Sequence, residues 1–505
     1  MYENEFIIGR SSLDKKYYYF EQMEKNYVEK ELKPRKTKII CTMGPSSENE
    51  DTVKKMILAG MNVARFNMSH GDYADHQRRM NLVRKCSAEL KMPVGILLDT
   101  KGPEIRIKKF QKGKVVLKEG QKFTFCTQDV VGDNTKVSIT YPDLYKDLKP
   151  GDKVLVNDGL LQFVVDSIQD KNIVTHCIRG GVLSDQKSMN FPHLTISMPY
   201  LSEIDKQDIL FGIKQKIDFI AASFVSNRDN ILQIRQILNE NGVGRSIDII
   251  AKIENDVGIH NLEEIYQVSD GCMVARGDMG VEIPFAELPS IQKLMVQTAR
   301  RLGRRCIVAT EMLESMIENP RPTRAETSDI ANAVYDGATA VMLSGETAAG
   351  KYPVQCVETM SKICQEAESH LDYFTHLIKD EFVLNKIIPE SIAFGACNAS
   401  YTLKAPLIVV FTTSGASARN ISRFRPECHV IAATFSPATY TKLTLTWGVT
   451  PVLVKKYETA DELLYSAEYI AFSNNLKIGE KYIVVAGLPN ISDGTNMLKL
   501  CTLSA

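Results

Sequence analysis

Tryptophan occurs once in these 505 residues, and no apolar run approaches the roughly 20 residues needed to span a bilayer as a helix. An excess of one charge is missing too. Lys and Arg total 61, Asp and Glu also 61, and the formal net charge is zero. Such a chain has no general attraction for nucleic acid or an anionic membrane, so any recognition of phosphate must be local. No two of the 11 cysteines form a Cys-x-x-Cys pair, which argues against a zinc ribbon or a disulfide framework. Cys41, Cys272 and Cys306 lie in apolar runs and read as reduced core residues. The first thirty residues carry Glu3, Glu5, Asp14, Glu21 and Glu24 among tyrosines and lysines, unlike a secretory or transit peptide. The final LSA is not a peroxisomal address, and the expected location is the cytoplasm.

What remains is a chain with 44% hydrophobic and 24% charged residues, enough for sizeable cores in about two to four domains. Residues 1–33 form a polar, tyrosine-rich leader. From residue 36 onward, short β-rich runs alternate with helical segments: 37–43, 61–67 and 94–99, then, after an interruption, 218–223, 248–253, 271–275, 306–310 and 338–344. Several helices stop near Gly242, Gly271, Gly303 and Gly337, as C-terminal glycine caps do. Eight strand–helix units predict a closed (β/α)8 barrel over 34–102 and 198–368. An open doubly wound sheet also fits the alternation, but the count favours the ring. The interruption, 103–197, contains short alternating runs between Gly, Asp and Asn turns and predicts a small β-barrel lid. Residues 369–505 repeat the α/β alternation with four or five strands, which predicts an open α/β domain.

Chemistry concentrates at the strand ends. In the run 249–254, alternate residues share a face, so Ile250, Lys252 and Glu254 point the same way. A lysine in such a run is costly to bury unless a charged partner meets it. One helix later, 272–275 ends in Arg276-Gly277-Asp278, and parallel strands bring Glu254 and Asp278 to the same end of a sheet. Two carboxylates and an amine there suit a magnesium ion holding a phosphorylated substrate. Arg65, Asn67, Ser69 and His70 follow the second strand, Asp99 and Thr100 the third, Thr310 and Glu311 the seventh, and Ser344 to Thr347 the eighth. Arginine and lysine suit a phosphoryl group, carboxylates a divalent ion, and hydroxyls proton relay or cation ligation.

From about residue 35 onward the sequence resembles the pyruvate kinase family. The resemblance rests on residues 65–71 (RFNMSHG), 98–106 (LDTKGPEIR), 251–255 (AKIEN), 274–282 (VARGDMGVE), 309–316 (ATEMLESM), 321–326 (RPTRAE) and 342–347 (MLSGET). It implies phosphoryl transfer from phosphoenolpyruvate to ADP, with Mg2+ on Glu254 and Asp278 and K+ on Asn67, Ser69, Asp99 and Thr100. It implies that Lys252 and Arg65 hold the phosphoryl group, that the Gly277–Asp278 backbone and Thr310 bind the substrate carboxylate, and that Thr310 and Ser344 lie on the route protonating the enolate. Asn67, Ser69, His70, Arg106 and Lys187 match nucleotide contacts, and Glu104 matches the residue tied to potassium dependence. A homotetramer is implied, with neither nucleic acid nor membrane as partner. Thr412, Ser414, Gly415 and Ser417 resemble an effector phosphate loop, although residues 487–495 lack the tryptophan and arginine of sugar-bisphosphate-activated relatives. Glu311 stands where many relatives carry glutamine, and Ala349 where some carry a lysine near nucleotide. A related enolpyruvate lyase using the same magnesium site is the competing expectation; it would need no nucleotide.

Overall fold

The computed structural model describes residues 35–375, 377, 387–487 and 494–504. The leader and most of the segment 487–495 lie outside them. The described chain divides into two compact units, Arg35–Leu371 with Thr444–Trp447, and Asp372–Leu443 with Gly448–Ala505.

In the first unit, eight parallel strands close into a ring: Lys38–Thr42, Val63–Asn67, Gly95–Asp99, Phe219–Ala222, Asp248–Ile253, Gly271–Ala275, Arg305–Ala309 and Ala340–Leu343. They are called here the first to eighth barrel strands. One set of alternate side chains fills the ring, including Ile40, Val63, Leu97, Ala221, Ile250, Met273, Ile307 and Ala340, joined by Leu445. The other set, including Ile39, Ala64, Ile249, Ala251, Val274 and Val341, packs against the surrounding helices. Strands covered on both faces must be apolar throughout, which is why these runs do not alternate in polarity.

The helices begin at side-chain caps. Asn49, Asp72, Ser202, Asn227 and Thr323 each accept a backbone N–H from the first turn. Gly337 caps the helix Arg324–Asp336 in the left-handed conformation expected of it. Gly271 departs from the expectation, because the preceding helix, Leu262–Val268, ends at Ser269 and Gly271 opens the sixth strand. Its constraint is steric: a Cβ there would lie 2.8 Å from the Cβ of Arg305 on the neighbouring strand.

The inserted module is a seven-stranded sheet with a two-stranded ribbon, Lys114–Leu117 paired with Gly181–Ser184. An antiparallel bridge between Ile107 and Ile139 joins the two edges of the large sheet and closes it into a small barrel. Phe123, Phe125 and Phe163 fill its centre, with ring centroids 5.3–5.7 Å apart.

The second unit is an open sheet ordered Val449–Leu453, His429–Thr434, Leu407–Phe411, Lys481–Ala486 and Met497–Thr502, with only the last strand antiparallel. It has a hydrophobic cluster on each face. All eleven cysteines are free thiols, nine of them buried. Among the described residues, no helix is long and apolar enough to cross a membrane.

Candidate active site

The parity that fills the ring continues to the C-terminal ends of the strands. Arg65 lies two residues beyond Val63, Asp99 two beyond Leu97 and Lys252 two beyond Ile250, so all three project into the same mouth. Asp99, fully buried, accepts from Arg65 Nε at 2.6 Å and from Lys252 Nζ at 3.1 Å. Lys252 Nζ also donates to Ser223 Oγ at 2.6 Å and lies 3.1 Å from Glu254 Oε1. Arg65 Nη1 donates to Thr42 Oγ1 at 2.9 Å. Immediately after Glu254, Asn255 accepts the Gly258 N–H at 2.7 Å and starts a new helix, which fixes the carboxylate at the turn.

Charge explains the proton affinities. Burial alone would raise Asp99, but Arg65 and Lys252 outweigh it and hold its carboxyl below the usual range. Burial works against the charge on Lys252, yet Asp99 and Glu254 leave its amine more basic than usual. Glu254 is pushed up to about 7 by burial, with Lys252 opposing and Asp278 adding to the rise. Burial is the larger cause at Glu254, and a surplus of carboxylates over cations, three against two, adds to it.

That surplus is what a cation would relieve. Glu254 Oε2 accepts the Phe224 N–H at 2.6 Å, whereas buried Oε1 accepts no hydrogen bond. Among the described residues, no three His, Cys, Asp or Glu side chains group at metal-holding spacing. Magnesium does not require three, because one or two carboxylates suffice when water and substrate oxygens complete its shell. Glu254 and Asp278 therefore fit a divalent ion.

Other predicted residues lie at or just beyond the ends of neighbouring barrel strands. Gly277 N–H donates to Thr310 Oγ1 at 2.9 Å, and that hydroxyl donates to the Ala309 carbonyl at 2.6 Å. Thr310 and Glu311 both have positive φ, 70° and 56°, an arrangement costing non-glycine residues roughly 1–3 kcal/mol each. Arg276 holds them there. Its Nη1 meets both carboxylate oxygens of Asp329, at 2.6 and 2.8 Å, while Nε and Nη2 donate to the carbonyls of Ala309 and Thr310. Ser344 N–H donates to buried Glu346 at 2.6 Å.

Asn67 accepts the Ser69 N–H at 3.1 Å, and both Ser69 and His70 are exposed. The His70 carbonyl bonds buried His76 Nε2 at 2.8 Å. Thr100 is buried beside Asp99. On the lid, Arg106 is paired with Ser188, which puts Lys187 beside it, and Glu104 accepts from Arg106 Nε at 2.8 Å. A cleft of about 360 Å³ between lid and barrel is lined by Glu104, Asn190, Tyr200, Asn255, Asp278 and Glu282, among others.

In the second unit, Thr412 Oγ1 accepts the Gly415 N–H at 2.9 Å, and Ser417 Oγ bonds Thr495 Oγ1. Arg419 donates to the Ser414 carbonyl at 3.2 Å.

Sequence reading assigned nothing to the ends of the first and fourth strands, yet Thr42 and Ser223 both belong to the buried network. The alternation that located Arg65 and Lys252 also points to Thr42, beyond Ile40, and to Ser223, beyond Ala221. Their plain chemistry concealed them.

A parallel ring with cations, carboxylates and hydroxyls at its C-terminal mouth defines a barrel phosphotransferase. Comparison with known proteins gives the particular kind. Residues 34–357 match the family model described as pyruvate kinase, barrel domain, and residues 390–501 match pyruvate kinase, alpha/beta domain. The chain is 46% identical over 469 residues to the pyruvate kinase of Clostridium acetobutylicum, covering 92% of this chain and 99% of that protein. It is 44% identical over 478 residues to that of Geobacillus stearothermophilus, covering 93% and 81% respectively. The crystal structure of a pyruvate kinase from Cryptosporidium parvum superposes with a TM-score of 0.89 at 38% identity, covering 93% of this chain and 96% of that one. The chain belongs to the pyruvate kinase family.

Proposed function

We propose that the chain transfers the phosphoryl group of phosphoenolpyruvate to ADP, yielding pyruvate and ATP, through the residues at the barrel mouth. The observation that carries this reading is the largely enclosed Lys252 amine, held between Asp99, Ser223 and Glu254, with Glu254 Oε1 having no hydrogen-bond donor beyond that ion pair.

Lys252 and Arg65 would face the phosphoryl group, whose charge is greatest while it moves between oxygens. Both are already paired with Asp99, so little reorganisation accompanies the reaction. Glu254 and Asp278 would hold a divalent ion, magnesium by ligand type, which supplies positive charge to substrate oxygens when bound. Gly277 N–H and Thr310 Oγ1 now satisfy each other and would open to a carboxylate. Because Thr310 Oγ1 donates to the Ala309 carbonyl, its rotamer must turn before it can serve a proton route to the enolate. Ser344 is the second hydroxyl assigned to that route. Asn67, Ser69, Asp99 and Thr100 are assigned to potassium, with Glu104 supporting that dependence. Asn67, Ser69, His70, Arg106 and Lys187 are assigned to the nucleotide.

A homotetramer in the cytoplasm is the matching proposal for assembly and location. A phosphate-bearing effector is proposed for the loop with Thr412, Ser414, Gly415 and Ser417. It would have to displace the Gly415–Thr412 contact.

The test is Lys252→Met. Turnover should fall by roughly three orders of magnitude or more while the Kd for phosphoenolpyruvate changes far less, because the charge matters most in the transition state. Steady-state kinetics with direct substrate titration reads both; wild-type turnover in the variant would reject the role.

A further inference from the structure

Both crossings between barrel and lid converge on one buried serine. The outgoing crossing leaves the third strand at Asp99. Ser223 N–H donates to Thr100 Oγ1 at 3.2 Å, and Ser223 Oγ lies 2.7 Å from the Thr100 carbonyl. Two residues on, Gly102 adopts φ +73°, and a Cβ there would lie 2.9 Å from Ser223 Cβ. The returning crossing passes through Tyr200, itself buried, whose hydroxyl donates to the Ser223 carbonyl at 3.0 Å. The outgoing crossing is also tied to the helix that follows the returning one, Glu203–Lys214, because Gly102 N–H donates to Asp205 at 2.9 Å.

Ser223 has a single hydroxyl proton. Its shortest acceptor is the Thr100 carbonyl, and committing the proton there leaves the lone pairs facing Lys252 Nζ at 2.6 Å. The hydroxyl is therefore oriented by the outgoing crossing, and its backbone is held by the returning one.

We propose that Ser223 is a positioning residue for the Lys252 amine and that Tyr200 acts through it, linking the lid attachment to the group that meets the phosphoryl. This rests on the role given to Lys252 above. Lysine has three donors on a flexible stem, and Asp99 and Glu254 attract it toward the carboxylates alone. Ser223 supplies the third, neutral acceptor that sets the direction. Neither Ser223 nor Tyr200 need touch the substrate.

The experiment uses the full chain with phosphoenolpyruvate, ADP, magnesium and potassium, and compares Ser223→Ala, Tyr200→Phe, the double variant and Lys252→Met. Removing a hydrogen bond to a charged group should lower kcat by roughly 10- to 100-fold in Ser223→Ala, with the KM for phosphoenolpyruvate within about twofold. Tyr200→Phe should lower kcat by about threefold, the effect of a neutral hydrogen bond. The double variant should be no worse than Ser223→Ala, since Tyr200 acts through Ser223.

If Lys252→Met is inactive while Ser223→Ala keeps kcat within about twofold of wild type, the positioning role is overturned. A lowered melting temperature with unchanged kcat overturns it in the same way. Multiplying losses in the double variant overturn the role of Tyr200. Should Ser223→Ala fail to fold, Tyr200→Phe decides, because wild-type kcat there refutes the link. An active Lys252→Met would instead remove the parent assignment, and so the two failures are distinct.

Discussion

Replacing Asp99 by Asn probes the centre most directly, because one carboxylate there serves two buried cations. Asp99 is fully enclosed and accepts from Arg65 Nε at 2.6 Å and Lys252 Nζ at 3.1 Å, with Ser223 Oγ 3.2 Å away. Asparagine offers one oxygen and one NH2, so at least one cation must face a donor. Lys252 keeps Glu254 and Ser223 as partners, whereas Arg65 keeps the Thr42 hydroxyl. The larger penalty therefore falls on Arg65, and breaking a buried pair from one side costs about 3–5 kcal/mol. We expect urea denaturation to register a loss of that order. We also expect kcat to fall by roughly 100- to 1,000-fold, as about 3–4 kcal/mol of lost transition-state stabilisation requires. The assay is pyruvate release at saturating magnesium over a potassium titration. If high potassium restores wild-type turnover, Asp99 works only as a ligand of that ion. Our account of it as the carboxylate that holds two cations would then be wrong.

Other perturbations follow from the same geometry. Arg276→Lys has one nitrogen where three now serve Asp329 and the two carbonyls, so the left-handed Thr310–Glu311 turn should relax. The kcat/KM for phosphoenolpyruvate should drop about 5- to 100-fold, matching roughly 1–3 kcal/mol of released strain, and an unchanged value would refute that restraint. Leu445→Ala, at a fully buried position inside the ring, should cost about 2–5 kcal/mol in urea unfolding, and a loss under about 0.5 would contradict the packing. His76 has its pKa lowered by burial, opposed by its bond to the His70 carbonyl, and its buried Nδ1 has no partner. The unfolded chain thus binds a proton that the native imidazole resists, so stability falls as pH drops through the ordinary histidine range near 6.5. His76→Gln should flatten the change in urea midpoint between about pH 7.5 and 5.5; an equally steep profile would refute the assignment.

Much of this architecture was legible because period and length leave few alternatives. Eight apolar strand–helix units are the count of a closed ring rather than of an open sheet, and the ring closes as expected. Lys252 was legible for the same reason, since an amine in a buried run demands an acid nearby. Gly271 misled because a helix end and a strand start adjoin there, and the space beside Arg305 cannot be read from spacing. The lid strands Ile105–Arg106 and Ser188–Asn190 have only two and three residues, too few to show alternation. Ser223 and Thr42 were missed because a hydroxyl carries no charge, so nothing in composition marks it. Only position relative to the ring reveals what it serves.

Leu445 has a consequence for how this molecule comes off the ribosome. The last staves of the ring are complete once Leu343 has been made, but the stopper of its floor, gripped by Arg305 Nε at the Leu445 carbonyl, is encoded far downstream. Through that interval of synthesis the nascent ring has a gap beneath Ile40, Ile250 and Ile307, an oily opening that water enters or a chaperone shields. Chains released early, short of residue 445, would carry every reactive side chain discussed here and still leak from below.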